Sequence, residues 1–213
     1  MTGDDDDEAL VARADGGDPS ALAELFERHR RRLRHMVQLR LDPRLRGRVD
    51  ASDVLQEAYL DLVRQFPAYR EKADLPPFLW LRLLTGRRLL RVHRRHLGAA
   101  IRDAGREVSI HGGAAPGADS GSLAEHLVGR LTTASRAFDR EERRRLLQRA
   151  LDSLDPLDRE VLALRHFEGL TNGEAAAVLG LSKTAACNRY VRALARLQEA
   201  TRDVPGLLDE PAG

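Results

Sequence analysis

The segment from Leu154 to Leu197 constrains the fold of this chain more than any other stretch, because its sequence is that of a helix–turn–helix. Thr171 and Glu174 form a capping box, in which a hydroxyl and a carboxylate satisfy each other's backbone N–H groups at a helix start. Gly180 then supplies the residue that adopts positive φ where that short helix ends. Ser182 is a favourable N-cap for the next helix. The spacing therefore predicts two helices joined by a tight turn.

The second of these helices has one apolar face and one polar face. At about 100° per residue, the apolar face comprises Ala186, Tyr190, Ala193, Leu194 and Leu197. The opposite face, its flank and the helix start carry Ser182, Lys183, Thr184, Ala185, Asn188, Arg189 and Arg192. A helix that packs by one face and presents short polar and basic residues on the other suits the major groove of DNA. The alternative is an ordinary helical hairpin with a solvated polar face.

Long segments of 3.6-residue periodicity predict an all-helical fold. Aromatic residues make up 4% of the 213 residues, and glycine and proline do not punctuate the chain as they do in sheets. No apolar run approaches the roughly 18 residues of a membrane span, and no signal peptide opens the chain, so we expect a cytoplasmic protein without membrane insertion. The single cysteine, Cys187, excludes a disulfide framework and a cysteine-based zinc site.

The distribution of helical periodicity and of glycine, proline and serine predicts two helical domains joined by a flexible linker. The predicted boundaries are 1–15 for a flexible acidic N-terminus, 16–100 for the first domain, 101–137 for the linker, 138–204 for the second domain and 205–213 for a tail. The acidic run at residues 4–8 is the reason for treating the N-terminus as flexible.

A predicted helix from Asp53 to Phe66 carries an exposed leucine among polar groups. Its core stripe comprises Leu55, Ala58, Tyr59, Leu62 and Phe66, and its other face comprises Asp53, Gln56, Glu57, Leu60 and Arg64. An apolar centre with a polar rim is typical of a surface that docks a partner. A single exposed leucine is also common on surfaces that bind nothing.

The predicted helix from Phe78 to Leu97 is apolar in its first half and basic in its second. One broad stripe holds Trp80, Arg87, Arg88, Arg91, Arg94 and Arg95, and no acidic residue occurs between Arg82 and Asp103. An aromatic ring for stacking and cations for phosphates suit a groove that binds a nucleic-acid strand. Since like charges on one helix repel, the stripe predicts an anionic ligand, although Trp80 alone is equally well explained as core.

Several motifs together resemble those of extracytoplasmic-function (ECF) sigma factors. They are Asp53-Val54-Leu55-Gln56-Glu57, Phe78-Leu79-Trp80-Leu81, Arg159-Glu160-Val161-Leu162, and Leu181-Ser182 with Asn188-Arg189 and Arg192-Ala193. The resemblance implies a bacterial transcription initiation factor, with core RNA polymerase and promoter DNA as partners and an anti-sigma protein as a further candidate. It implies that the surface of Asp53, Gln56, Glu57 and Leu60 binds the polymerase clamp helices. It also implies that the Trp80–Arg95 stripe melts the −10 element, and that the helix–turn–helix reads the −35 element.

Two positions depart from the pattern of that family. Arg87 stands where an asparagine is usual and Arg91 where an aspartate is usual, and the segment Leu84–Leu90 resembles the form found in planctomycete-type members. The alternative function is a helix–turn–helix regulator that is not a polymerase subunit, which would leave the first domain's surfaces without a role. We expect neither an enzyme nor a metal or cofactor site, since His93 and His96 have no carboxylate or thiol nearby in sequence.

Overall fold

The computed structural model describes residues 2–72, 75–98, 115–131 and 137–202. The chain forms two compact units, Met1–Pro116 and Gly117–Gly213. Among the described residues all regular structure is helical, which confirms the predicted fold class. The first unit contains α1 (Thr2–Asp15), α2 (Ala21–Arg40), α3 (Ala51–Lys72) and α4 (Pro77–Leu97). The second contains α5 (Ser120–Leu131), α6 (Ala137–Asp152), α7 (Pro156–Leu162), α8 (Asn172–Leu179) and α9 (Lys183–Ala200).

The core of the first unit lies where α2, α3 and α4 pack against one another. Leu25 and Leu33 of α2, Leu62 of α3, and Leu81 and Leu89 of α4 are almost completely buried. Except for Leu89, these residues lie three, four or seven positions from other buried apolar residues on their own helix, which is the spacing that lines one helix face. The helical stripes predicted for this half of the chain therefore form one core.

The acidic N-terminus belongs to a helix, so the prediction of a flexible segment at 1–15 is wrong. Leu10 and Val11 of α1 are buried in the first unit. Asp7 is 2% exposed, and its Oδ2 lies 2.6 Å from Nε2 of His29 on α2. Acidic side chains are stabilised near a helix N-terminus by the helix dipole, and here α2 supplies basic partners as well. A run of like charges alone did not reveal those partners.

Residues 120–131 form α5, so this part of the predicted linker is structured. Leu123, Ala124 and Val128 are buried, and α5 packs against α6. Oδ1 of Asp119 accepts a hydrogen bond from the backbone N–H of Ser122 at 2.8 Å, which caps the start of the helix. The glycine, proline and serine content around residue 117 obscured the helical spacing of these apolar residues.

The helix–turn–helix has the caps that its sequence predicts. Thr171 Oγ1 accepts from the N–H of Glu174 at 3.2 Å, and Glu174 Oε2 accepts from the N–H of Thr171 at 2.6 Å. Gly180 ends α8 with φ of 64°, and Ser182 Oγ accepts from the N–H of Ala185 at 3.1 Å. α7 is shorter than expected, because Ala163–Phe167 forms a π-helical turn before the chain leaves at Glu168.

Candidate nucleic-acid and partner interfaces

The recognition helix α9 presents its polar side to solvent. Ala186 and Ala193 are buried. Six of the residues with predicted DNA contacts are exposed: Ser182, Lys183, Thr184, Ala185, Asn188 and Arg192. Ser182 also caps the helix with its hydroxyl. These side chains therefore share an accessible face, and their contacts with bases or phosphates remain predictions.

Arg189 departs from this pattern, because a buried carboxylate holds it. Its Nη1 donates to Oδ1 of Asp158 on α7 at 2.6 Å, while Nη1 of Arg196 donates to Oδ2 of the same carboxylate at 2.7 Å. The Asp158 side chain is only 4% exposed. Two arginines about two turns apart on α9 thus dock the helix onto α7. In this structure Arg189 positions the recognition helix instead of standing free as a flanking cation.

Tyr190 joins α9 to the π-helical turn. It was expected in the core, but it is half-buried and its hydroxyl lies 2.8 Å from Nε2 of His166. The guanidinium of Arg165 lies 5.4 Å from the centre of the Tyr190 ring. A cation over an aromatic face adds a modest attraction of about 1 kcal/mol. Sequence reasoning missed these contacts, since they depend on the π-helical geometry of residues 163–167.

The exposed face of α3 has two apolar residues at its centre. Leu60 is 45% exposed, as predicted, and Val63 one turn later is 46% exposed. Asp53, Gln56 and Glu57 are exposed on the same helix face. We call these five residues the α3 face. Val63 could have been found from its spacing, because positions i and i+3 share a helix face.

The arginine stripe of α4 is partly neutralised within the chain. Asp61 on α3, whose side chain is 6% exposed, accepts from Nη2 of Arg88 at 2.9 Å and from Nη2 of Arg91 at 2.7 Å. Glu57 lies 3.3 Å from Arg88 as well. The expectation that the stripe needs an external anion is therefore wrong for Arg88 and Arg91. Arg91, which departs from the family pattern, has an internal partner in Asp61.

The other arginines of α4 are more available than these two. Arg87, Arg94 and Arg95 are exposed, and no ion pair is formed by them within the described residues. They lie on the solvent side of α4, which makes them the better candidates for phosphate contacts.

Trp80 does not provide a stacking surface for a base. The residue is 6% exposed, and its ring stacks on Tyr69 with the ring centres 4.0 Å apart and the planes 11° apart. Tyr69 donates from its hydroxyl to the carbonyl of Leu75 at 2.8 Å, and burial raises its pKa to about 12. The predicted DNA contact of Trp80 is therefore wrong in this conformation, and the alternative core role is the one observed.

Within the part of the chain that the structure describes, no set of three or more histidine, cysteine, aspartate or glutamate side chains is placed to hold a metal ion. No helix in the same ranges is both long enough and apolar enough to cross a membrane.

Comparison with known proteins finds a family match for the helix–turn–helix region and a more distant similarity over most of the chain. Residues 144–197 match the family "Sigma-70, region 4". The chain is 29% identical over 195 residues to the ECF RNA polymerase sigma factor SigD of Mycobacterium tuberculosis, which covers 90% of this chain and 82% of SigD. Over most of its length this chain is therefore similar to an ECF sigma factor. It is also 44% identical over 63 residues to the RNA polymerase sigma-E factor of Streptomyces antibioticus, a match that spans 29% of this chain and 35% of that protein.

The fold of this chain is also found in a solved structure. CnrH, determined in complex with the cytosolic domain of CnrY, matches with a TM-score of 0.55 and 23% identity over 92% of this chain and 97% of CnrH. The region 4 match begins within α6 and ends within α9, so it includes the exposed face of the recognition helix. The alignment with SigD covers 90% of this chain and therefore extends into both compact units.

Proposed function

We propose that the protein is an alternative sigma factor, which directs core RNA polymerase to a set of promoters. The observation that carries the proposal is the extent of the similarity to SigD, since 195 aligned residues include both units. A helix–turn–helix regulator that acts without polymerase requires only the second unit. The proposed activity is non-enzymatic, and an initiation factor for bacterial transcription acts in the cytoplasm.

In the first unit, the α3 face is the proposed contact with the polymerase clamp. Leu60 and Val63 offer two apolar side chains that become buried on docking, while Asp53, Gln56 and Glu57 offer polar contacts around them. Interfaces of this kind combine a small apolar centre with a polar rim. An anti-sigma protein that covered the same face would compete with polymerase, and we propose it as a further partner.

On α4, the proposed contact with −10 DNA depends mainly on the arginines that Asp61 does not hold. Arg87, Arg94 and Arg95 can each approach a phosphate without first breaking an ion pair within the described residues. Arg88 and Arg91 have to exchange a carboxylate for a phosphate, so their net contribution is smaller. The planctomycete-type subgroup suggested by residues 84–90 remains a prediction.

In the second unit, the exposed side of α9 is the proposed reader of the −35 element. Asn188 has the donor and acceptor pair that recognises adenine in the major groove. Arg192 lies one turn further along and is exposed, so it can reach a phosphate or a guanine. Thr184, near the positive end of the helix dipole, is suited to a phosphate or a thymine methyl group.

Co-purification with core RNA polymerase, followed by transcription from a promoter library, tests the proposal. The key variant is Leu60→Arg, which places a charge at the centre of the α3 face. It should abolish core binding with a loss of stability of about 0.5 kcal/mol or less, because Leu60 is exposed. The matched control is Ala9→Arg, which adds the same charge at an exposed position of α1. Specific promoter binding without any affinity for core polymerase would instead favour the regulator.

A further inference from the structure

Val191 of α9 is the most exposed large apolar side chain within the described residues. It is 58% exposed, compared with 45% for Leu60 and 46% for Val63. Those two lie together on the α3 face, which already has a proposed partner. A single exposed apolar residue is common on surfaces that bind nothing, so the significance of Val191 depends on its position on the helix.

The position of Val191 around α9 is fixed by the contacts of the opposite side. Arg189 and Arg196 both donate to the buried carboxylate of Asp158 on α7. Ala193 is completely buried. At about 100° per residue, Val191 lies about 160° around the helix from both Arg189 and Ala193. Its side chain therefore points away from α7 and into solvent.

Val191 shares its side of α9 with residues proposed to read the −35 element. It follows Asn188 by three positions and Thr184 by seven, and residues at these spacings line one helix face. All three side chains are exposed. With a rise of about 1.5 Å per residue, Val191 lies about 4.5 Å along the axis from Asn188. Because base pairs are stacked about 3.4 Å apart, the base pair read by Asn188 or its neighbour lies within reach of Val191.

The chemistry of this side of α9 favours DNA as the ligand of Val191. Lys183 and Arg192 are exposed, and no acidic residue occurs from Lys183 to Gln198. A cationic helix with an aliphatic side chain beside an amide matches the major groove, where anionic phosphates border the base edges. Thymine contributes an apolar group to those edges, its 5-methyl group, and apolar side chains recognise thymine by contact with it.

We propose that Val191 is a specificity-determining residue of the −35 contact, which selects thymine through its 5-methyl group at the base pair read by Asn188 or at its neighbour. The proposal rests on the proposed function, of which it uses the DNA-reading surface of α9. Contact removes both apolar groups from water. The expected discrimination is about fourfold in affinity, the equivalent of about 0.8 kcal/mol for one buried methyl group.

The test uses the full chain, alone and with core polymerase, and the duplex that the wild type selects from a random −35 library. Each thymine of the selected element, on either strand, is replaced in turn by deoxyuridine, which lacks only the 5-methyl group. The wild type should lose about fourfold in affinity at one position, at or next to the position where Asn188→Ala relaxes selection. Val191→Ala should bind thymine and uracil with nearly equal affinity there, whereas Val191→Ile keeps the apolar contact and should retain the difference.

The matched control is Val178→Ala, the same truncation at a half-buried position of α8. It should leave the ratio of thymine to uracil affinity unchanged. Urea unfolding shows that the variants are folded, and the truncation of Val191 should leave the unfolding midpoint nearly unchanged, because the side chain is exposed.

The proposal is overturned if the selected element has no methyl-dependent thymine, or if Val191→Ala retains the wild-type difference. Weaker binding of Val191→Ala to core polymerase with an unchanged ratio of thymine to uracil affinity would assign the side chain to a protein contact and overturn it as well. Sequence selection without core binding would contradict the proposed function, while the deoxyuridine comparison would still decide the role of Val191. Failure to select any sequence, alone or with core polymerase, would contradict both.

Discussion

Asp158 should control the stability of the second unit, since one nearly buried carboxylate holds two turns of α9. Asp158→Ala removes the acceptor of Arg189 and of Arg196. Arg189, with a side chain 28% exposed, keeps only Asp155 at 3.5 Å, whereas Arg196 is 61% exposed and returns to water. Breaking a fully buried pair costs about 3–5 kcal/mol and a surface pair about 0–1 kcal/mol. Because the Asp158 carboxylate is buried and its two partners are partly exposed, we expect a loss between these limits, about 2 kcal/mol in the free energy of unfolding of the second unit.

Urea unfolding followed by two probes measures this loss in the intact chain. Trp80 is the only tryptophan and lies in the first unit, so its fluorescence reports on that unit alone, while far-UV circular dichroism reports on the helices of both. With a denaturant slope of about 1–2 kcal/mol per M, the midpoint of the second unit should fall by about 1–2 M. The Trp80 midpoint should stay unchanged.

Two single variants divide the effect between the arginines. Arg189→Ala should cost more than Arg196→Ala, which should cost less than about 1 kcal/mol because that side chain is mostly exposed. An unchanged circular dichroism transition in Asp158→Ala, or a Trp80 transition that moves with it, would exclude this role of Asp158. A variant of Arg189 that kept full stability but lost DNA affinity would restore it to the set of direct DNA contacts.

Three further predictions concern DNA reading, phosphate contacts and pH. Asn188→Ala should weaken binding to the preferred −35 sequence by about 1–3 kcal/mol and relax base selection at one or two positions of a promoter library. An unchanged sequence preference would show that Asn188 reads no base. Arg94→Ala should lower the slope of log K against log salt for open-complex formation by about one. Arg91→Ala should lower that slope less, because Asp61 already engages Arg91. Equal slopes in the two variants would contradict this ranking. Burial lowers the pKa of His93 below 6.5, so the unfolded chain binds a proton more readily than the folded chain does, and stability is lost as the pH falls below about 6.5. His93→Gln should therefore flatten the pH dependence of the unfolding midpoint that Trp80 fluorescence reports. The same pH dependence in the wild type and the variant would exclude His93 as its source.

Local patterns predicted the helix–turn–helix well, because each cap is decided by residues within one turn of the chain. The pairing of Thr171 with Glu174, the positive φ of Gly180 and the cap at Ser182 all follow from side chains two or three positions apart. The exposed position of Leu60 was predicted for a similar reason, since the stripe of buried residues on α3 leaves it on the opposite face. In these cases sequence spacing is the physical cause of the structure.

The charged and aromatic residues were predicted less well, because their partners are distant in sequence. Trp80 was interpreted with the arginines that follow it, whereas its ring packs on Tyr69 of the preceding helix. The acidic N-terminus was interpreted as a repelling run, but α2 supplies His29 to Asp7. A like-charge run or a basic stripe is judged correctly only when the opposite charges packed against it are known.

The sequence by itself determined that this chain is all-helical, that it contains a helix–turn–helix with an accessible polar face, and that its motifs resemble those of ECF sigma factors. Helical periodicity and capping act over one or two turns, so the order of residues is enough to specify them. The tertiary structure decided which arginines remain available to DNA. Asp61 engages Arg88 and Arg91, and Asp158 engages Arg189 and Arg196. Those pairings join helices about 30 residues apart in sequence. Because the strength of an ion pair depends on distance and burial, it is settled only when the helices have packed.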